Sequence, residues 1–285
     1  MTLKKWLTAL LAVCSAFAAL GFAACDKDTD TSSSENVNAK GEKYVVKTLS
    51  KEKNEQYAFA VNKDSTKKAE ILAAMNKVIE TVDVPKVITY YQDVADNKTP
   101  SVALEFADLT DNTGGLLHVY TDADFSPFEF RDQEDKVVGV DIYIMQLVAE
   151  ELNMTVRFND MDFDGILNKV ASEDNAIGAA GITVTAEAAE KVDFSNPYYT
   201  TVQAIISTES QEYNELEDLK GKKIGVQKGS TAQTLVETAI ASGVLKDTKA
   251  EVVLYYDGTA AYAALKDGDC DVMIIDELPA KKLVK

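Results

Sequence analysis

From residue 116 onward, short runs of Val, Ile and aromatic residues alternate with stretches whose apolar positions recur every three or four residues. That alternation of strand and helix patterns predicts α/β layers with mainly parallel strands. Strands are expected at 116–120, 155–158, 176–181, 202–207, 223–226, 251–256 and 272–275. Helices are expected at 141–152, 164–170, 231–241 and 259–266. In the first of these helices Ile142, Met145, Leu147, Val148 and Leu152 share one face.

The front of the chain carries a second set of patterns. Tyr57-Ala58-Phe59-Ala60-Val61 reads as a strand, and 66–82 as a helix with Ala69, Leu72, Ala73, Met75, Asn76 and Ile79 on one, largely apolar, face. Pro85 opens a further helical turn through Tyr91. Residues 95–115 turn polar, with Pro100 and Gly114-Gly115, and read as a linker in which 102–106 is an extra strand or a docked extended segment.

Residues 1–24 have the design of a secretory leader: Lys4 and Lys5, an apolar run, then small residues before Cys25. Gly21-Phe22-Ala23-Ala24-Cys25 resembles a bacterial lipobox, which implies that Cys25 is lipidated through its thiol and anchors the mature protein to a membrane. An ordinary leader or an uncleaved helix are the alternatives. Residues 25–41 hold almost nothing apolar and read as a flexible tether.

Composition narrows the function classes. Of 285 residues, 46% are hydrophobic, enough for one large core or two smaller ones, so the chain is neither a disordered tail nor a disulfide scaffold. Asp and Glu outnumber Lys and Arg by 47 to 29, for a net charge of -18, which argues against a nucleic-acid partner. Of the three cysteines, Cys14 falls in the leader, Cys25 is the lipid site and Cys270 is left as a small buried apolar residue. Arg131 and Arg157 are the only arginines, and His118, the sole histidine, falls in an expected strand and reads as structural.

Several segments carry a family resemblance. Thr121-Asp122-Ala123-Asp124-Phe125-Ser126-Pro127-Phe128-Glu129-Phe130 and Val138-Gly139-Val140-Asp141-Ile142 resemble the type 2 periplasmic binding proteins, specifically the polar-amino-acid receptors of ABC importers. Phe163-Asp164-Gly165-Ile166-Leu167 resembles that family's FDGLI element, Ala180-Gly181-Ile182-Thr183-Val184-Thr185 its AGMTIT turn, and Val192-Asp193-Phe194-Ser195-Asn196-Pro197-Tyr198-Tyr199 its VDFSDPYY element. Leu216 to Val226, Gln227-Lys228-Gly229-Ser230-Thr231 and Ile275-Asp276-Glu277-Leu278-Pro279-Ala280 complete the set in the family's order.

The resemblance implies an α/β fold of two lobes joined by hinge strands, with a ligand held in the cleft and no cofactor. It also implies an unusual chain order. Family members continue past the equivalent of Lys285 back to the first lobe, and here Tyr44-Val45-Val46, Tyr57 to Asp64 and the helix through Met75 resemble that closing segment. A natural circular permutation is therefore expected, with 94–115 joining the old termini; a truncated member with an unrelated insert is the alternative. Lobe one is expected over 58–200, and lobe two over 201–285 plus 42–57. The pivots are expected at 57–61 and 199–205.

The same resemblance assigns the cleft. Asp276 matches the carboxylate that receives a ligand ammonium, Asp122 one that faces a side-chain cation, and Phe125 and Phe163 the aromatic walls. Gly181, Thr183, Gln227, Ser230 and Thr231 match polar groups around a ligand carboxylate. The family's arginine, which grips that carboxylate, falls at Ala188. Its loss removes a bidentate charged partner that no other side chain reproduces. Two carboxylates, two aromatic walls and no arginine favour a cation lacking a carboxylate, such as an amine or quaternary ammonium.

The expected protein is thus a monomeric, lipid-anchored solute receptor on the outer face of a bacterial membrane, delivering an amine-type ligand to an ABC permease. Three alternatives stand beside it: an amino-acid receptor with a different carboxylate site, a dehydratase-like enzyme drawing on Glu129, Glu187 or Asp124, and a sensor module. No Ser-His-Asp, Cys-His, phosphate-loop or metal-ligand spacing supports catalysis or a metal. Each site residue also has a plainer reading. The aromatics could belong to the core, Asp122 could cap a turn, and Asp276 could cap the helix that follows it.

Overall fold

The computed structural model describes residues 36–38, 40–110, 112–211 and 213–285. The expected leader, Cys25 and the tether up to residue 35 lie outside the described residues. In chain order come β1 (Tyr44–Thr48), β2 (Glu55–Tyr57), β3 (Ala60–Asn62), α1 (Lys68–Thr81), α2 (Val84–Ala95), β4 (Leu116–Thr121), β5 (Asp124–Phe125), β6 (Glu129–Arg131), β7 (Val137–Val138) and α3 (Val140–Glu151). They are followed by β8 (Thr155–Asp160), α4 (Phe163–Ser172), β9 (Ala176–Gly178), α5 (Ala186–Lys191), β10 (Val192–Phe194), β11 (Tyr199–Thr201), β12 (Gln203–Thr208), β13 (Lys223–Gln227), α6 (Thr231–Ala241), β14 (Glu251–Tyr255), α7 (Gly258–Asp267), β15 (Val272–Asp276) and α8 (Glu277–Leu283).

Two five-stranded sheets organise these elements, in the orders β10-β3-β9-β4-β8 and β1-β12-β15-β13-β14. In the first sheet β3 runs antiparallel to both β10 and β9, while β9, β4 and β8 run parallel. In the second, β12 opposes both β1 and β15, and β15, β13 and β14 run parallel. Four strands of each sheet therefore point one way, and the fifth is a strand that has just crossed from the other lobe. The parallel strands come from β-α-β units, whereas a crossing strand enters its new sheet from the opposite end.

Helices cover both faces of each sheet. On one face of the first, Ile71 and Met75 of α1, Tyr91 of α2 and Ile144 of α3 pack with Val119 and Ile177 in a single core. On the other, Ile166 and Val170 of α4 meet Ala60, Ile182 and Val192. The second sheet has α6 on one side, where Val236 packs on Ile224 and Ile274, and α7 and α8 on the other, where Leu265 and Ala280 pack on Met273 and Ile275. The architecture is the two-lobed α/β one.

The crossing is narrower than the sequence suggests. Residues 57–61 form not one strand but the end of β2 and the start of β3, with β2 pairing with β11 in a two-stranded hinge. The change of partner at Ala58-Phe59 breaks the ladder. Tyr57, fully buried, packs its ring against Phe125, Phe128, Tyr198 and Tyr199, with centroids 5.1–6.3 Å apart. Phe59 stacks on Tyr198 at 4.4 Å. The Tyr198 hydroxyl donates to Oδ1 of Asp141 at 2.6 Å, and the Gly181 amide donates to Oδ2 at 3.0 Å, so one buried carboxylate fastens α3 to the hinge and to the turn beside it.

Other expectations change in detail. The turn foreseen after Pro85 is a full helix, α2, whose N-cap Asp83 accepts from the Lys86 amide. Residues 96–115 hold no helix or strand among the described positions, and 102–106 is a docked extended segment. Leu104 packs on the first core, the Tyr143 hydroxyl donates to the Glu105 carbonyl at 2.8 Å, and Phe106 meets Tyr90 and Tyr143 edge-on. The strand expected over 176–181 ends at Gly178, because the chain turns into Gly181 at φ +53°. Among the described residues of 36–41, composed like the tether, Asn38 holds Glu42, Lys40 and Gly41. Cys270 is buried just before β15, with its thiol pushed up to about 11 by burial.

Candidate functional site

A cavity of about 380 Å³ opens between the lobes. Asp122 reaches it from the end of β4, Phe125 from β5 and Glu129 from β6. Phe163 opens α4, Gly181 and Thr183 lie in the turn after β9, and Ala188 is on α5. From the second lobe come Gln227 at the end of β13, Ser230 and Thr231 at the start of α6, and Asp276 at the end of β15. All ten residues singled out in the sequence line this one space, brought together from segments far apart in the chain. Strand ends and helix starts supply them because the parallel strands of both lobes deliver their carboxyl ends to the cleft.

Charge in the lining is one-sided. Asp122, Glu129, Asp164, Glu187, Glu237 and Asp276 face a single basic residue, Lys191, which is exposed at the end of α5. Arg131 lies away from the lining, paired with Asp160 at 2.8 Å and Asp135 at 3.3 Å. Ala188 is buried, and its amide is taken by the Thr185 hydroxyl that caps α5.

Three of these carboxyls are buried without an ion pair among the described residues. Asp122 accepts from Nε2 of Gln227 at 2.6 Å across the cleft, and burial, then the charge of Asp124, pushes its carboxyl up to about 7. Glu129 is fully buried with neither oxygen hydrogen-bonded; burial and then the charge of Asp141 hold it well above the usual carboxylate range. Asp276, 8% exposed, is pushed up to about 6 by burial and then by Glu55. It occupies the N-cap position of α8 but makes no side-chain cap, and its Oδ1 has no partner, so the capping reading is set aside. Asp122 likewise spends its side chain on Gln227 rather than on a turn.

Glycines set the spacing at two points. A Cβ on Gly181 would sit 2.7 Å from the Phe125 ring, so the turn can lie flat under that aromatic wall only as glycine. Gly229, at φ +81°, comes so close to Asp164 that a Cβ would lie 2.8 Å from the Asp164 Cβ. Beside it Lys228 pairs with Asp164 at 2.8 Å, joining the lobes at the rim. Sequence reasoning did not single out Gln203 or Glu55, which meet beside the cavity: Glu55 accepts from Gln203, Thr183 and Thr231. Of Glu129 it foresaw only acid–base chemistry, not an unpartnered carboxyl in the cavity wall. His118 is in β4 with Nδ1 3.3 Å from Glu173, remote from the cleft lining.

Residues 117–251 match the family of bacterial extracellular solute-binding proteins, family 3. The chain is 36% identical over 110 residues to the arginine-binding extracellular protein ArtP of Bacillus subtilis, an alignment covering 39% of this chain and 43% of that protein. The chain thus spans less than half the length of that curated relative. Among solved structures it is similar to an ancestral arginine-binding protein bound to arginine, with 38% identity, a TM-score of 0.56, and coverage of 61% of this chain and 74% of that one. It is also similar to the ancestral amino-acid-binding protein AncCDT-1, a precursor of cyclohexadienyl dehydratase. There the identity is 32%, the TM-score 0.53, and the coverage 59% and 72%.

The buried carboxyls give a signed pH dependence. Raised carboxyl pKa values mean that the folded protein binds more protons than the unfolded chain between about pH 4 and pH 7, so stability falls as pH rises through that window. The ligand-free protein is expected to melt several degrees lower at pH 8 than at pH 5. Asp122→Asn together with Asp276→Asn should flatten that slope in calorimetric scans; an unchanged slope would show that neither carboxyl titrates as described.

Proposed function

Because the chain belongs to the family-3 bacterial extracellular solute-binding proteins, we propose that it is a receptor that encloses a small organic cation between its lobes and presents it to an ABC permease. The observation that carries this reading is the cavity wall: buried, unpartnered oxygens of Glu129 and Asp276 beside Asp122, with Phe125 and Phe163 and no arginine. A cation entering there exchanges water for carboxyls that give up protons as it arrives, and aromatic faces add cation–π attraction. The volume suits a ligand of amino-acid or polyamine size. The reading is of a binding protein and not an enzyme, in keeping with most relatives.

A second reading has its own observation. Lys191 lines the rim, and the arginine-binding relatives make an amino acid whose carboxylate meets that lysine the alternative ligand. Titration calorimetry against a panel of amines and amino acids separates the two. A carboxylate-free amine is expected to bind, and Asp276→Asn to weaken it by about 10- to 100-fold, the scale of a lost charged hydrogen bond. Tight binding of an ordinary α-amino acid with no amine bound would reverse the choice.

The lipid anchor and the permuted order belong to the same proposal. Membrane attachment through Cys25 predicts that Cys25→Ser moves the protein from the membrane fraction to the soluble one, with ligand affinity unchanged; retention in the membrane fraction would remove the anchor from the scheme. Permutation is supported by the family match beginning at residue 117 and by the role of what precedes it: β3 is an inner strand of the first sheet and β1 an edge strand of the second. Residues near the two ends of the second lobe also meet, Nδ2 of Asn36 donating to the Leu283 carbonyl at 3.2 Å. A chain opened within 96–115, with residue 285 joined to residue 36 by a short Gly/Ser linker, is therefore expected to fold and to melt within a few degrees of the original. Failure to fold would favour an unrelated insert.

A further inference from the structure

Beside the acidic cavity, hydrogen-bond donors from both lobes converge on one carboxylate. Oε2 of Glu55 accepts from Oγ1 of Thr183 at 2.8 Å and from Oγ1 of Thr231 at 2.7 Å, and Oε1 accepts from Nε2 of Gln203 at 3.3 Å. Nε2 of Gln203 also reaches Oγ1 of Thr231 at 3.2 Å. Thr183 belongs to the first lobe, Gln203 and Thr231 to the second, and Glu55 to the hinge strand β2. Thr231 is the first residue of the eleven-residue helix α6, so the carboxylate also lies at the positive end of that helix.

We propose that Glu55 is a built-in counterpart of a ligand carboxylate: it fills the anion seat that Thr183, Gln203 and Thr231 form, and the protein thereby selects amines over the amino acids that carry the same cation. The donor inventory supports this. The Ser230 hydroxyl donates to the Gln227 carbonyl at 2.7 Å, and Nε2 of Gln227 serves Asp122 and the Tyr256 carbonyl. Thr183, Thr231 and Gln203 serve Glu55. Ala188 offers a methyl group, and Lys191 stands exposed at the rim. A second carboxylate brought to the inner end would find these side-chain donors taken and two acids beside it, Glu55 and Asp276, whose charges already oppose each other. An amine meets no such conflict, because Asp122, Glu129 and Asp276 all lie on its side of the balance. Specificity then arises from a repulsive element inside the protein as well as from attraction. The inference rests on the proposed amine-binding reading for its choice of ligand, but not for the occupancy of the seat.

The test uses matched probes: agmatine and arginine, which share a guanidinium and differ by the carboxylate, and cadaverine and lysine likewise. The wild-type protein is expected to bind the amine of a pair at least about tenfold more tightly than the amino acid. Glu55→Ala should shrink or invert that ratio, and Glu55→Gln, which keeps the volume and loses the charge, should move it the same way. A second readout needs no ligand: acetate should raise the melting temperature of Glu55→Ala by occupying the vacated seat and leave the wild type unchanged at equal ionic strength. Ratios unaltered in both variants, or acetate acting equally on wild type and Glu55→Ala, would overturn the assignment. If acetate stabilises Glu55→Ala alone while neither amine binds the wild type, the seat stands and the amine-binding reading falls.

Discussion

Carboxylates buried without a counter-ion govern this molecule. Asp122, Glu129, Asp141 and Asp276 are each less than one-tenth exposed, and none has a lysine or arginine partner among the described ion pairs. Removing such groups from water is costly unless hydrogen bonds, protons or a cation make good the loss. Asp141 is compensated by the Tyr198 hydroxyl and the Gly181 amide, which makes it a fastening of the hinge. Asp122 has Gln227, while Glu129 and Oδ1 of Asp276 make no well-formed hydrogen bond, with Asp141 beside the first and Tyr57 beside the second. The burial and neighbouring acidic charge that raise their pKa values are what a bound cation would offset, so binding and stability are coupled through one set of atoms.

That coupling extends to closure. Around the cleft the lobes touch through Lys228 and Asp164 at the rim, Gln227 and Asp122 inside, and the Glu55 hydrogen bonds at the hinge, while Lys282 and Lys285 of the second lobe pair with Asp96 of the first on the outside. The rim pair is half exposed and contributes little by itself. The inner contacts are shielded from water and are made only when both lobes present their groups to the cavity. A cation between Asp122 and Asp276 would add a further link between the first lobe and the second, and would weaken the repulsion that opposes their approach. Closing a two-stranded hinge on a ligand requires this kind of differential contact between the open and closed arrangements.

The sequence was legible where one local pattern dominated. Alternating runs located the strands, and the apolar stripe through Ile142, Met145 and Val148 located α3, because burial on one face imposes a period that composition displays. The cleft residues were legible through motif resemblance, and Asp122, Phe163, Thr183 and Asp276 do meet around one cavity. What escaped was decided by partners remote in sequence. The division of 57–61 into β2 and β3 depends on Thr201 and Tyr199 pairing with one half and Val192–Phe194 with the other. Asp276 stands where a cap belongs, and only the cavity beyond it explains why its side chain does not cap. Glu55 closes a polar stretch; its one signal in the sequence is the two-residue spacing from Tyr57, which turns both toward the same side of β2.

Chain order adds a constraint that the site does not share. The cavity is built almost wholly from residues after 116, yet the inner strand β3 and the hinge strand β2 come from the front of the chain. Ala60 pairs with Gly178 and Phe194, and Glu55 with Thr201, so these strands complete ladders whose other members lie far later in the chain. Pairings between segments so distant raise the contact order of the fold, which lowers the rate at which such a chain folds. The residue that occupies the anion seat belongs to the hinge itself. Glu55 reaches Thr183 and Thr231 from the paired strand β2, so the hinge that joins the lobes also carries the residue that sets which ligands the cleft admits.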